Sequence, residues 1–192
     1  MIRSSWSVAV LAASALMAAA PASAATCDGV TFADSVQGPG GALALNGLGL
    51  RKATILKVKV YVAGLYLPEK SGDGDAILKE GGAWRLELRF VHDVDASDME
   101  DAFKEGFAKT GADLAPLKDR IDALVGMFVD FKDGQALAFT NDPAKGVAVE
   151  LDGASKGVID GADFGPVLLA IWLGAEPPNK DLKSGLLGGA CE

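Results

Sequence analysis

The chain has 192 residues, a formal net charge of −8 and a pI near 4.7. This length suits one domain with a substantial core. The acidic balance argues against nucleic acid or an anionic membrane as a partner, because both select clusters of lysine and arginine, and only the stretch from Arg51 to Lys59 is locally positive. The sequence contains no phosphate loop, dinucleotide fingerprint, zinc spacing or nucleophile elbow, so we expect no cofactor and no metal.

The first residues have the pattern of an export signal. Arg3 supplies a positive charge, the run from Val8 to Ala20 is apolar, and Ala24 completes an A-x-A site for a signal peptidase. We therefore expect a signal peptide at residues 1–24 and a mature domain at residues 25–192, periplasmic or secreted. A retained membrane anchor is the alternative, but it needs about 20 apolar residues. We expect no stable membrane anchor.

The only two cysteines, Cys27 and Cys191, lie at opposite ends of the expected mature chain. Thiols pair readily in an oxidising compartment, and the termini of a domain are often close, so we expect a disulfide. Free thiols are one alternative. A lipid anchor on Cys27 is another, although the large aliphatic residue that usually stands three positions before such a cysteine is missing. The single histidine, His92, has no second ligand nearby and is expected on the surface.

The first half of the chain has the pattern of β-strands bounded by glycines. The segment ending at Leu67 is the richest in β-branched and aromatic residues, and the segment from Trp84 alternates cleanly, which predicts one buried face. Gly47-Leu48-Gly49 is interpreted as a turn. The predicted strands are residues 29–36, 42–46, 48–53, 57–67 and 84–91, with one or two helical turns at 75–80.

A helical period begins at Ser97, where Glu100 completes a capping box. A second helix is predicted at 114–128, and an almost wholly apolar helix at 162–173. Between them we predict strands at 129–132, 135–140, 146–151 and 156–159, with Asp133-Gly134 and Asp152-Gly153 as type I′ turns. This order predicts an α+β fold in which helices cover one face of a mainly antiparallel sheet.

Three motifs resemble the chalcone isomerase-like family, and its bacterial exported members in particular. They are Leu45-Asn46-Gly47-Leu48-Gly49-Leu50-Arg51, Val58-Lys59-Val60-Tyr61-Val62-Ala63-Gly64-Leu65-Tyr66-Leu67, and Asp163-Phe164 with Leu168-Leu169-Ala170-Ile171-Trp172-Leu173-Gly174. The resemblance covers essentially the whole mature chain. It implies an open-faced β-sandwich, with a large antiparallel sheet covered by a helical layer and a ligand cleft between the two.

The resemblance also implies site residues. Arg51 matches an arginine that steadies a phenolate in the plant isomerases and holds a carboxylate in the fatty-acid-binding relatives. Tyr61 matches the tyrosine of the fatty-acid-binding branch, where catalytic plant members have a threonine. The Tyr, Lys and Asn of the plant helix, and a later Ser or Thr, correspond to four residues without ionisable groups: Met99, Ala102, Gly106 and Ile171.

The leading hypothesis is a cleft that binds a small apolar molecule with an anionic end, of the fatty acid or phenolic type. Its candidate ligand-binding residues are Arg51, Tyr61, Met99 and Phe103. One alternative is an intramolecular lyase of the chalcone–flavanone isomerase type, with Arg51 as the catalytic residue. A second is a structural or partner-binding module whose cleft is closed by its own side chains.

Each candidate residue also has a plain structural interpretation. Arg51 could pair with a surface carboxylate, and Met99 and Phe103 could simply pack a helix on the sheet. Strand alternation places Tyr61 and Tyr66 on opposite faces, so only one of them is expected in the cleft. Trp172 is expected in the core.

Overall fold

A computed structural model describes residues 24–54 and 56–192. Of the signal peptide expected at residues 1–24, all but Ala24 lies outside the described residues. The chain there is built mainly of strands, with short helices between and after them. The elements are β1 Ala24–Cys27, β2 Val30–Ala33, β3 Ser35–Gly38, β4 Gly41–Ala53, β5 Val58–Leu67, α1 Gly74–Glu80, β6 Trp84–Phe90, α2 Ala96–Ala108, a 3-10 turn at Ala115–Leu117, α3 Lys118–Val125, β7 Ala136–Asp142, β8 Gly146–Leu151, β9 Ala154–Asp160, α4 Phe164–Leu173 and α5 Lys180–Leu186.

Seven strands form one antiparallel sheet in the order β3-β4-β5-β6-β7-β8-β9, so each strand pairs with its neighbour in sequence. Strands β1 and β2 form a separate hairpin. The helices pack on one face of the large sheet, here called the inner face, and bury the larger apolar cluster. The hairpin packs on the opposite, outer face over a smaller cluster. The predicted α+β fold with an antiparallel sheet and a helical layer is confirmed.

Successive side chains of β5 point to opposite faces of the sheet. Tyr61 and Leu65 are buried with the helices on the inner face, whereas Val62 and Tyr66 are buried on the outer face. Gly64 also lies on the outer face, where an added Cβ would meet the Phe32 ring at 2.7 Å. The glycine therefore lets the hairpin seat closely against the sheet.

A disulfide joins Cys27 at the end of β1 to Cys191 near the C-terminus, with their Cα atoms 5.9 Å apart. It closes a loop with a sequence separation of 164 residues. Cys27 is buried in the outer cluster, and Cys191 packs against that cluster. The bridge therefore fastens both ends of the described chain to the outer face.

The long strand β4 differs most from the sequence expectation. The predicted strands 42–46 and 48–53 are one continuous strand, interrupted only by a register shift between Leu45 and Gly47. The interpretation of Gly47-Leu48-Gly49 as a turn is wrong. Neither glycine has a positive φ. They are required instead by the close approach of α5, which the sequence pattern did not reveal.

Three other boundaries are corrected. Helix α2 begins at Ala96 with Asp95 at the N-cap, so Ser97 does not cap it. The predicted strand 129–132 is reduced to a single bridge between Phe131 and Val94. Consequently Asp133-Gly134 does not form a type I′ hairpin turn, whereas Asp152 and Gly153 both have positive φ, as that turn requires.

The helical layer contains short elements only. Apolar α4 is buried along most of its circumference, with Phe164, Leu168 and Trp172 almost inaccessible to solvent. Within the described residues, none of the helices combines the length and apolarity that crossing a bilayer requires.

Candidate functional site

Gly47, Gly49 and Arg51 lie on the inner face of β4, two residues apart. A Cβ on Gly47 would meet the Gly185 carbonyl oxygen at 2.1 Å, and one on Gly49 would meet the Leu182 carbonyl oxygen at 2.4 Å. The two glycines therefore give α5 room to lie directly on the strand. Arg51 is the next inner-face residue of β4 after Gly49, beyond the N-terminus of α5. Its side chain lines a cavity there.

Asn179, the residue before α5, fixes Arg51 in this place. The Asn179 Oδ1 atom accepts hydrogen bonds from Arg51 Nη1 at 3.0 Å and from the Lys52 backbone N–H at 3.0 Å, while Nδ2 donates to the Lys52 carbonyl at 3.0 Å. Arg51 Nη1 also donates to the Lys52 carbonyl at 2.5 Å and to the Pro178 carbonyl at 3.4 Å. One amide thus joins the strand, the helix and the guanidinium.

The guanidinium keeps most of its hydrogen-bonding capacity for another partner. Within residues 24–54 and 56–192, all of its hydrogen bonds leave from Nη1, and it forms no ion pair with a carboxylate. The interpretation of Arg51 as one half of a surface ion pair is therefore wrong for the described residues. Nη2 and Nε are left to bind an anion in the bidentate geometry that arginine favours.

Tyr61 is the direct cross-strand neighbour of Arg51 in the β4–β5 ladder, so both side chains share the inner face. Its side chain is 5% exposed, and its hydroxyl oxygen accepts a hydrogen bond from Trp172 Nε1 at 3.0 Å. Burial raises the pKa of the Tyr61 hydroxyl, while the Trp172 hydrogen bond and the positive charge of Arg51 act in the opposite direction. The hydroxyl is therefore neutral at physiological pH and keeps its proton for donation.

A cavity of about 590 Å³ opens beside these two residues, between the β4–β5 end of the sheet and helix α2. This volume is in the usual range for a small-molecule site. It rules out a cleft filled by the protein's own side chains. The apolar part of the lining comes from both layers: Ala53, Val58, Val60, Val94, Met99, Ala102, Phe103, Gly106, Ile171, Pro177 and Pro178.

The four positions that the resemblance matched to plant polar residues all lie on this cavity. Met99, Ala102 and Gly106 form the α2 wall, and Ile171 reaches it from α4. A Cβ on Gly106 would come within 2.8 Å of Ile171 Cγ2, so a longer side chain at this position would have to displace the isoleucine. At these four positions the lining therefore offers contact surface and no group able to transfer a proton.

Charged side chains line the mouth of the cavity, and several are already neutralised. Glu105 pairs with Lys109. Asp93 pairs with Lys132 at 2.9 Å and also accepts a hydrogen bond from the Asp133 backbone N–H at 3.0 Å. Asp98 and Glu176 complete the charged rim, and the His92 side chain lies beside them. Negative charge thus lies toward solvent, while Arg51 supplies the positive charge next to the apolar wall.

The structure brings together the four residues expected to bind a ligand: Arg51, Tyr61, Met99 and Phe103 all line the cavity. Phe103 also packs edge-on against Trp172, with ring centroids 5.5 Å apart, so it serves the core and the cleft at once. Tyr66 is on the outer face, as alternation predicts. His92 is exposed as expected, but it lies at the cleft mouth.

Two residues of the site were not found in the sequence. Asn179 follows Pro177 and Pro178, a typical position for the start of a helix, but α5 itself was not recognised because only seven residues form it. Trp172 was expected in the core, and it is there, yet its indole N–H also holds the Tyr61 hydroxyl. Only the tertiary structure reveals that contact.

The fold and site define a class: a large antiparallel sheet with a helical layer on one face, and a polar pair at the edge of the cleft between them. The sequence family described as chalcone isomerase-like matches residues 24–188. The chain therefore belongs to the chalcone isomerase-like family, and the resemblance seen in its motifs is confirmed. Among solved structures, a fatty-acid binding protein of Arabidopsis thaliana is similar at a TM-score of 0.69, with 18% identity over 86% of this chain and 96% of that chain. No curated protein matches the sequence.

Proposed function

We propose that the protein binds a small apolar molecule with an anionic end, of the fatty acid or phenolic acid type, in the cleft beside Arg51. The observation that carries this proposal is the arrangement of Arg51: a fixed guanidinium at an apolar wall, with no carboxylate partner among the described residues. A guanidinium with free N–H groups beside apolar surface suits an anion that can accept two hydrogen bonds from it. The similarity to a fatty-acid binding protein supports the same class of ligand.

The polar end of the ligand would be held by two donors. Nη2 and Nε of Arg51 match the two oxygens of a carboxylate, and the Tyr61 hydroxyl adds a neutral hydrogen bond from the same face of the sheet. Trp172 donates to the Tyr61 oxygen, so the tyrosine proton is directed to another acceptor. The pair therefore suits an anionic oxygen.

The apolar end would lie against α2 and the neighbouring strands. Met99 contributes a flexible, polarisable side chain that adapts to the shape of an acyl chain, and Phe103 contributes an aromatic surface. Phe103 is held in place by its ring contacts with Phe128 and Trp172, and Met99 is buried in the same apolar cluster. This wall binds through contact area, which favours a range of alkyl or aryl groups over one exact shape.

Intramolecular lyase activity on chalcone-like substrates is the second candidate. Arg51 favours it, because stabilising a phenolate and orienting the substrate are the main requirements of such a ring closure. The α2 wall opposes it, because Met99, Ala102 and Gly106 offer no polar group to the substrate. Incubation with naringenin chalcone separates the two: faster loss of chalcone absorbance than the spontaneous rate, abolished by Arg51→Ala, would overturn the proposal of binding alone.

The same proposal places the protein outside the cytoplasm. The A-x-A pattern ending at Ala24 supports a cleavable signal. The disulfide between Cys27 and Cys191 is consistent with an oxidising compartment, where such bridges persist. N-terminal sequencing of the exported protein tests this directly and should begin at Ala25.

The binding proposal is tested by native mass spectrometry and by titration with dodecanoic acid. Wild-type protein extracted under mild conditions should carry a lipid, and Arg51→Met should lose it. In titrations, Arg51→Met should bind dodecanoic acid about ten- to a hundredfold more weakly, the usual effect of losing a hydrogen-bonded charge pair. Lys52→Met is the matched control, because it removes the same charge one residue away, outside the cavity. Equal binding by all three proteins would refute the proposal.

A further inference from the structure

The loop between β4 and β5 forms one lip of the cleft. Ala53, Thr54 and Val58 at its two ends line the cavity beside Arg51. The structure describes Thr54, Leu56 and Lys57 in the loop itself, and these three residues are called the lip residues. Whatever approaches this loop is therefore at the entrance of the proposed ligand site.

Leu56 projects from the loop into solvent. It is 80% exposed, while the other exposed large apolar residues of the described chain, Val129 and Val158, are 40% and 50% exposed. A single exposed leucine is ordinary on a protein surface. This one stands out because it is the only exposed leucine among the described residues and because it lies at the cleft mouth.

The loop has an uncommon backbone conformation at Thr54 and Lys57, the described residues on either side of Leu56. Thr54 and Lys57 have φ values of 61° and 55°, which residues other than glycine seldom adopt. The Lys57 backbone N–H donates to the Thr54 carbonyl at 3.1 Å, and the Leu56 N–H donates to Thr54 Oγ1 at 3.3 Å. The turn that carries Leu56 is therefore held by two internal hydrogen bonds.

Positive charge surrounds this leucine in a chain whose net charge is −8. Lys52 and Lys57 make no ion pair with a described residue, and exposed Lys180 begins the helix that is tied to Lys52 through Asn179. Lys59 is paired with Asp28. The opposite lip carries Asp98 and Glu105, the latter paired with Lys109. The molecule is therefore polarised across its cleft mouth.

We propose that the lip residues dock the cleft mouth onto an anionic lipid surface. Leu56 would enter the headgroup region, and Lys52 and Lys57 would meet the lipid phosphates, while the acidic remainder of the molecule stays away from the surface. The net charge still argues against binding by any other face. The biological role of this docking rests on the proposed function. A ligand with an apolar tail resides largely in membranes, and it would pass between the bilayer and the cleft at this lip.

The test is co-sedimentation with ligand-free vesicles, either pure phosphatidylcholine or equal parts of phosphatidylcholine and phosphatidylglycerol. Wild-type protein should bind the anionic vesicles, and binding should weaken as salt rises from about 0.1 M to about 1 M, where the screening length falls from about 10 Å to about 3 Å. Lys57→Gln should reduce the partition coefficient about fivefold, the usual contribution of one lysine near such a surface. Leu56→Ser should reduce it at least as much.

Two matched controls separate the lip from the rest of the surface. Val158→Ser removes an exposed apolar side chain on β9, and Lys145→Gln removes an exposed charge before β8; both should bind vesicles as wild type does. Binding that is absent in wild type, or that falls equally in the control variants, would overturn the inference.

Failure here is distinguishable from failure of the proposed function. Vesicle-free titration with dodecanoic acid should give wild-type affinity for Leu56→Ser, because Leu56 does not line the cavity. Conversely, Arg51→Met should keep its vesicle binding while losing dodecanoic acid. Loss of both properties in both variants would contradict the separation of lip and cleft, and with it this inference.

Discussion

The two faces of the sheet hold their arginines differently. On the outer face, Arg85 and Arg89 flank buried Glu87: Arg89 Nε donates to it at 2.7 Å, and Arg85 also pairs with Glu150 at 2.7 Å. On the inner face, Arg51 is held by an amide and two carbonyl oxygens and has no carboxylate partner among the described residues. The outer-face arginines pair with carboxylates of the protein itself, whereas Arg51 keeps N–H groups free for a ligand.

The largest expected effect is on stability, and it comes from the disulfide on the outer face. Replacing both Cys27 and Cys191 with serine should lower the free energy of unfolding by about 2–5 kcal/mol, because the bridge closes almost the whole described chain into one loop. The affinity for dodecanoic acid should not change, since neither residue lies near the cleft. Urea unfolding and ligand titration of the same variant measure both. A lost affinity would show that the two faces are coupled.

The next effect concerns the contact between β4 and α5. Gly49→Ala should destabilise the protein by about 1–3 kcal/mol, because the new Cβ would lie 2.4 Å from the Leu182 carbonyl oxygen. Affinity should fall as well, since α5 carries the residue that fixes Arg51. Gly82→Ala is the control: nothing lies within 4 Å of a Cβ at that position, and Gly82 has no positive φ. Thermal unfolding of the two variants should differ clearly; equal melting temperatures would refute the close packing.

Asn179→Ala tests the positioning of the Arg51 guanidinium and should have a smaller effect on stability than Gly49→Ala. The substitution removes the acceptor of Arg51 Nη1 and two hydrogen bonds to the Lys52 backbone. We expect about a tenfold loss of affinity for dodecanoic acid, or roughly 1–1.5 kcal/mol, and a similar loss of stability. Asn179→Asp should pair with Arg51 and weaken anion binding further. If the aspartate variant binds more tightly than wild type, the role given to an unpaired guanidinium is wrong.

The smallest effect depends on pH and concerns Tyr66, the tyrosine of the outer face. Burial and the charge of Glu87 raise the pKa of Tyr66 to about 12, whereas a tyrosine in the unfolded chain ionises near pH 10. Between these values the unfolded chain binds fewer protons, so the free energy of unfolding should fall as pH rises from 10 toward 12. Tyr66→Phe should show a shallower fall in urea midpoints over this range. An unchanged slope would contradict the raised pKa.

Most strands of the sheet follow from local patterns in the sequence. Alternation in β5 separates Tyr61 from Tyr66, and Arg51 lies in the predicted strand 48–53. These patterns depend on the alternation of side chains along a strand, which can be predicted from neighbouring residues alone. The resemblance to a known family supplied the remaining step, that the two strands place Arg51 and Tyr61 together.

The parts that were missed depend on contacts distant in sequence. Gly47 and Gly49 look like turn residues until α5 is laid against them, nearly 140 residues later in the chain. The strand expected at 129–132 has suitable residues, but Phe131 finds only Val94 as a partner. Likewise, no local pattern shows that the Trp172 indole donates to the Tyr61 hydroxyl. The close approach of α5 to β4 and the hydrogen-bond partner of Trp172 depend on the tertiary structure, so local sequence patterns do not show them.

The most direct test of the account is a comparison of dodecanoic acid with dodecanol, by calorimetric titration of wild type and Arg51→Met. The two ligands share one alkyl chain and differ in the charged end. Wild type should prefer the acid by about tenfold or more, and Arg51→Met should bind both with similar, weak affinity. A preference for the acid that survives in Arg51→Met, or no preference in wild type, would contradict the claim that Arg51 selects an anionic ligand.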